Sequence, residues 1–253
     1  MVQIHLLRKD FHGMSSSFKP KGRSNLPDEL LKFGRNLVYS EGTKTEPYYI
    51  DNIKKCIAKK YSCQPNEISI IPVNKDKKNS VDTIRLAKRA IKDVERRIKK
   101  NEKIDNVWVF FDKDDFEDED FLDAISTINN KNNSTTVNNN GFKYNTDTEI
   151  AWHACWSNEA FELWLCLYFN YDESRHSRDE YIDILNNNEK LKKIGFVYKK
   201  SKKEIHDILT SVGGKIENAI KFSKRLNEKN NYDNPSTNVC EFASFFVAYM
   251  ECK

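Results

Sequence analysis

The chain has 253 residues, of which 38% are apolar, 12% aromatic and 32% charged, with a net charge of +4. That length suits one large domain, or one domain with a smaller companion, and the aromatic content can build a core beneath a heavily solvated surface. No apolar run approaches the roughly 20 residues of a bilayer span and no signal peptide is visible, so a cytoplasmic protein is expected. The six cysteines, Cys56, Cys63, Cys155, Cys166, Cys240 and Cys252, show no CxxC spacing. This argues against zinc and for reduced thiols.

Charge is uneven from the start. Residues 8–23 carry Arg8, Lys9, Lys19, Lys21 and Arg23 against Asp10, five bases to one acid, which accounts for the whole excess. Residues 1–35 therefore read as a basic, flexible arm, suited either to contacting phosphates or simply to solvating the terminus. Leu37-Val38-Tyr39 predicts the first strand, followed by Ser40-Glu41-Gly42-Thr43-Lys44-Thr45-Glu46-Pro47-Tyr48-Tyr49. Gly42 permits a tight turn, Thr45 can cap a helix and Pro47 suits its first turn. Ile50, Ile53, Cys56 and Ile57 continue at helical spacing, so Glu41 stands at a strand-to-helix turn, with Lys44 and Glu46 able to face the same edge.

Ile68, Ile70 and Ile71 predict a second strand. Ser80 is expected to cap a helix striped by Val81, Ile84, Ala87, Ile91, Val94 and Ile98. The opposite face of that helix is basic, which fits a solvated surface or a nucleic-acid groove. Val107-Trp108-Val109-Phe110-Phe111 then reads as a strand buried on both faces, and it ends abruptly on Asp112, Asp114 and Asp115. In an open α/β sheet the carboxyl edge is where ligands sit. Carboxylates packed so closely repel unless a base or a hard divalent cation neutralises them, although aspartates also favour helix starts.

Residues 129–147 read as an Asn-rich irregular loop, and 149–156 as another strand. A helix over 159–169 is apolar nearly all round except for Glu162, a buried acid that needs a cation, a hydrogen-bond network or a Lys or Arg partner. Shorter helical pieces follow around 181–185, 205–209 and 216–226. Asn234-Pro235-Ser236-Thr237 is expected to open the last helix, with Val239, Phe242, Phe245, Phe246 and Tyr249. The five histidines form no ligand spacing, and no Walker-type GxxxxGK[ST] is present, which argues against ATP hydrolysis by this chain alone.

Four blocks carry a family resemblance: residues 40–49, Phe111-Asp112-Lys113-Asp114-Asp115-Phe116, Ser157-Asn158-Glu159-Ala160-Phe161-Glu162-Leu163-Trp164, and 234–237. In this order they resemble the RloB family, which includes AbiLii, the second component of the AbiL abortive-infection system. Only Glu159 departs from the pattern, standing where an Asn-Pro start is expected. The resemblance implies an α/β fold with a Toprim-like, parallel-rich central sheet over 36–170 and a helical C-terminal subdomain over 171–253. It further implies an anti-phage role beside an AbiLi-like ATPase encoded in the same operon.

By position, Glu41 matches the Toprim glutamate, and Asp112 with Asp114 match the DxD that handles Mg²⁺ or Mn²⁺. Asp115, Glu46 and Glu162 are further candidates, and Lys44 is placed to neutralise phosphate oxygens. The expected activity is metal-dependent cleavage of phosphodiester bonds in DNA or RNA, possible tRNA included. The rival readings are a non-catalytic sensor that docks on the ATPase or on nucleic acid, and a small-nucleotide or phosphotransfer enzyme.

Overall fold

A computed structural model describes residues 34–61, 68–72, 82–133, 136–137, 143–144 and 150–250. The basic residues Arg8, Lys9, Lys19, Lys21 and Arg23 lie outside the described residues, as do Ser80, Cys63 and Cys252.

Alternation along the strands explains the fold. Strand β3 (Asn106–Asp112) follows β1 (Asn36–Ser40), α1 (Thr45–Tyr61), β2 (Ile68–Pro72) and α2 (Thr83–Ile98), and every residue of β3 is buried. Val107, Val109 and Phe111 point into one apolar cluster, Trp108 and Phe110 into the other. A continuous apolar run is what a strand with a core on each side requires. Leu37 and Tyr39 of β1 join the first cluster, and Val38 the second.

After β3 come α3 (Asp118–Asn129), a 3₁₀ turn (Asn130–Asn133), a hairpin of β4 (Thr136–Val137) and β5 (Lys143–Tyr144), and β6 (Ala151–Asn158). The segment read as an irregular loop thus contains short structure. It is tied down where the Asn132 side chain exchanges two 2.8 Å hydrogen bonds with the Trp152 backbone. The C-terminal part holds α4 (Glu162–Cys166), α5 (Arg178–Asn187), α6 (Glu189–Lys193), α7 (Ile205–Ser211), α8 (Ile216–Asn230), β7 (Ser236–Thr237) and α9 (Val239–Met250).

The main sheet has the order β2-β1-β3-β6-β7, parallel throughout except for the β6–β7 pairing. It is an α/β fold consistent with the expected Toprim-like sheet. The chain steps from β1 outward to β2, then crosses back to β3 on the other side of β1. That reversal opens a crevice between β1 and β3 at their carboxyl ends. Helices α2 and α3 supply one cluster (Leu86, Val94, Phe121, Ile128), while α1 and the C-terminal helices supply the other. Phe242 of α9 meets Trp108 edge-on at 5.4 Å, and His153 stacks on the same indole at 3.8 Å. Residues 171–250 therefore share a core with the sheet.

Three boundaries differ from the sequence reading. Helix α2 is capped by Asp82, whose side chain accepts from the Arg85 amide at 2.7 Å. The apolar helix expected over 159–169 shrinks to α4, because Ser157 and Asn158 continue β6 to pair with Thr237 and Ser236. For the same reason 234–237 does not open the last helix: Ser236 and Thr237 are strand, and α9 starts at Val239. The described cysteines, Cys56, Cys155, Cys166 and Cys240, are unbridged. No helix among the described residues is long and apolar enough to cross a membrane.

Candidate active site

Glu41 leaves the end of β1 with its amide bonded to the Phe110 carbonyl at 3.1 Å, which brings it level with the end of β3. Asp112 is the last residue of β3, paired with Ser157. Two residues on, Asp114 sits in the left-handed region (φ 44°), where aspartate is among the tolerated residues. Its amide donates to the Glu159 carbonyl at 3.1 Å, so the loops after β3 and β6 are stitched together.

Glu46 comes from the first turn of α1. Its carboxylate lies where a side chain on Gly42 would have to go: a Cβ there would be 2.5 Å from Glu46 Oε2. Glu162 opens α4 and is almost fully buried. These five acids, with Thr43, Lys44, Thr45, Arg178 and Lys200, line a cavity of about 240 Å³. Asp115 is exposed and is not among the lining residues, and Lys44 is exposed at the lining.

Arg178, at the start of α5, enters this cavity. It donates to Asp112 Oδ2 at 2.8 Å, pairs closely with Asp114 Oδ1 and stands 3.7 Å from Glu162 Oε2. The Lys-or-Arg partner that Glu162 demanded is thus in part present. The Tyr198 hydroxyl donates to Glu162 Oε1 at 2.9 Å. Among the residues lining the cavity, two buried polar atoms remain without a hydrogen bond, Glu41 Oε2 and Arg178 Nε.

The electrostatics follow from five carboxylates around one internal guanidinium. Burial, then the neighbouring Glu46 and Asp114, push Glu41 up to about 8, against a hydrogen bond from the Asp112 backbone and the charge of Arg178. Burial also pushes Glu46 up to about 7, with Glu162 adding to the shift and its own backbone amide, Arg178 and Lys200 opposing it. Asp112 lies well above the usual carboxylate range, through burial first and Glu46 second. For Arg178, burial disfavours the charge, but Asp112, Asp114 and Glu162 outweigh it and raise the group.

Residues 36–244 match the RloB-like protein family. The chain belongs to that family. Membership fits a defence-related role, and no curated protein and no solved structure gives a significant match.

The sheet brings Glu41, Asp112 and Asp114 to one cavity, together with the further candidates Glu46 and Glu162 but not Asp115. Sequence reasoning missed Arg178, Tyr198 and Lys200. The only signal for Arg178 was indirect: a buried Glu162 requires a base, but nothing nearby in the chain says which. The fourth block, 234–237, turns out to hold the site's wall. Asn234 Nδ2 donates to the His176 carbonyl at 3.1 Å, and Ser157 and Thr237 hydroxyls share a hydrogen bond at 3.0 Å.

A second polar group, Cys56, His206 and Asp207, has its ligand-type atoms within 4.8 Å of one another. Its members are engaged locally: Cys56 Sγ donates to Asp207 at 3.3 Å, Asn52 donates to Asp207 at 2.9 Å, and His206 Nδ1 bonds Tyr168 at 2.8 Å. Burial pulls His206 down to about 4, so its ring is neutral.

Proposed function

We propose that this cavity is the active site of a Mg²⁺- or Mn²⁺-dependent nuclease that acts in anti-phage defence with a partner ATPase. The observation that carries the reading is the surplus of acid: Glu41, Glu46, Asp112, Asp114 and Glu162 converge at the carboxyl edge around one arginine. The buried Glu41 Oε2 has no hydrogen-bond partner among the described residues, and an all-oxygen donor set suits a hard divalent ion. Asp112 and Asp114 would hold it, leaving Glu41 as the general acid/base or, unprotonated, as a further ligand. Once bound, it polarises the scissile phosphate and stabilises developing charge.

The chain's own groups do the rest. Glu41, titrating near neutrality, is placed to hold or release a proton as general acid/base. Arg178 fixes the orientation of Asp112 and Asp114. Lys44 and Lys200 at the lining offer positive charge to non-bridging phosphate oxygens. The deciding assay is purified protein with Mg²⁺ or Mn²⁺, with and without the ATPase, on plasmid DNA and total RNA. Wild type should cleave and the Asp112→Ala, Asp114→Ala double variant should not; equal cleavage by both removes the proposal.

A second reading is supported by Arg178 itself. A guanidinium paired with both Asp112 and Asp114 can serve as a permanent counterion, and the chain would then be a non-catalytic sensor subunit. That reading predicts no Mg²⁺-dependent rise in melting temperature, whereas a metal site predicts one that disappears with the Asp pair.

A further inference from the structure

We propose that the turn at residues 199–203, together with Lys44, is the track along which the phosphate backbone of a nucleic-acid strand reaches the cavity. The inference rests on the nuclease reading and adds where and in what direction the polymer lies.

Between Glu189 and Glu204 the chain carries seven lysines and no acid. Among the described residues none of the seven pairs with a carboxylate, whereas Lys55, Lys103, Lys113, Lys131 and Lys229 all do. This charge is not loosely placed. Phe196 and Tyr198 are buried, Tyr198 reaches the cavity to bond Glu162, and its amide donates to Asn186 Oδ1 at 2.7 Å. Anchoring at 196 and 198 turns Val197 and Lys199 outward. The Lys202 amide donating to the Lys199 carbonyl at 2.9 Å closes a turn that exposes Lys199, Lys200 and Lys203. Lys200 lines the cavity beside Lys44, and Lys203 Nζ stands 5.8 Å from the ring of Tyr48, one helical turn beyond Lys44.

The segment that follows Asp114 is acidic instead. Asp115 and Glu117, on the connection from β3 to α3, and Asp118 and Glu119, in the first turn of α3, are all exposed and would repel phosphates. The basic face of α2 is excluded by topology. As the crossover helix after β2 it runs back against the strands and ends at Ile98, close to where β3 begins. The basic residues that follow its end, Lys99 and Lys100, therefore lie towards the amino edge of the sheet, away from the acids. One basic and one acidic segment orient a strand that unpaired lysines hold without reading bases.

The test measures fluorescence anisotropy of single-stranded DNA, duplex DNA and single-stranded RNA in EDTA, where no metal-dependent cleavage interferes. Wild type is compared with Lys199→Gln/Lys203→Gln and with Lys88→Gln/Lys92→Gln on α2, all checked for unchanged melting. The 199/203 variant should bind at least about tenfold more weakly at moderate salt, with the slope of log K against log salt shallower by about 1.4–1.8, as two lost phosphate contacts require. The α2 variant should match wild type. Wild type that binds none of the three probes, an unchanged 199/203 variant, or an equal loss in the α2 variant overturns the proposal. Salt-sensitive binding lost in the 199/203 variant, without metal-dependent cleavage by wild type, keeps the track and removes the nuclease; cleavage with binding unaffected by the substitutions does the reverse.

Discussion

Two acid–base networks lie on the same sheet and are built on opposite principles. On α2, Asp93 accepts from Tyr39 at 2.8 Å, from Arg97 Nε at 2.8 Å and from Arg96, while Arg97 also reaches Glu102 at 3.0 Å. Burial alone would raise Asp93, but these donors hold it below the usual range. At the carboxyl edge, five acids share one internal arginine, and Glu41 and Glu46 are driven towards neutrality. The first network is balanced and holds a helix to a strand. The second is short of positive charge, and a fold retains such a deficit where something else completes it.

The largest expected effect separates the two networks by activity. Asp112→Ala with Asp114→Ala should lower metal-dependent cleavage by about a hundredfold or more, whereas Asp93→Asn should leave the rate unchanged; initial rates on plasmid or RNA decide it. Next in size, Arg178→Met should destabilise the metal-free protein by about 3–5 kcal/mol at pH 8, because the acids lose their only internal base. Added Mg²⁺ should recover part of that loss in urea unfolding.

The pH dependence should differ as well. Glu41 and Glu46 titrate at about 8 and about 7 in the folded chain against 4.5 for the ordinary group. Folding therefore binds their protons more tightly. The associated stability is complete below about pH 4.5 and is lost as pH rises through 7 and 8. In EDTA, calorimetry should show the melting temperature falling from pH 5 to 8.5, and Mg²⁺ should flatten the fall. A flat profile in EDTA would mean that the carboxyl cluster is better compensated than the geometry allows. The smallest effect belongs to the balanced network: Tyr39→Phe should cost about 1 kcal/mol, with no response to Mg²⁺.

The balance of these networks also explains what the sequence could show. Glu41, Asp112 and Asp114 were legible because each follows directly on a buried strand, and parallel strands carry their ends to one edge. Strand β3 was legible from its apolar run, since both faces had to be covered. Arg178 was not: it lies 66 residues from Asp112 on a mostly polar helix, and only the three-dimensional closure of α5 against the sheet brings it in. The end of β6 was misjudged because nothing local says that Ser157 and Asn158 continue the strand expected over 149–156. Its partner, Ser236-Thr237, is some eighty positions downstream.

That distant pairing has a consequence for biosynthesis. The two-residue strand that clamps β6, and the asparagine beside it that steadies the segment leading to Arg178, are made only some eighty residues after the end of β6. A nascent chain ending before residue 236 would hold its carboxylates without the strand that pairs with the end of β6, so that edge of the cluster would be ordered only once residue 237 has been made.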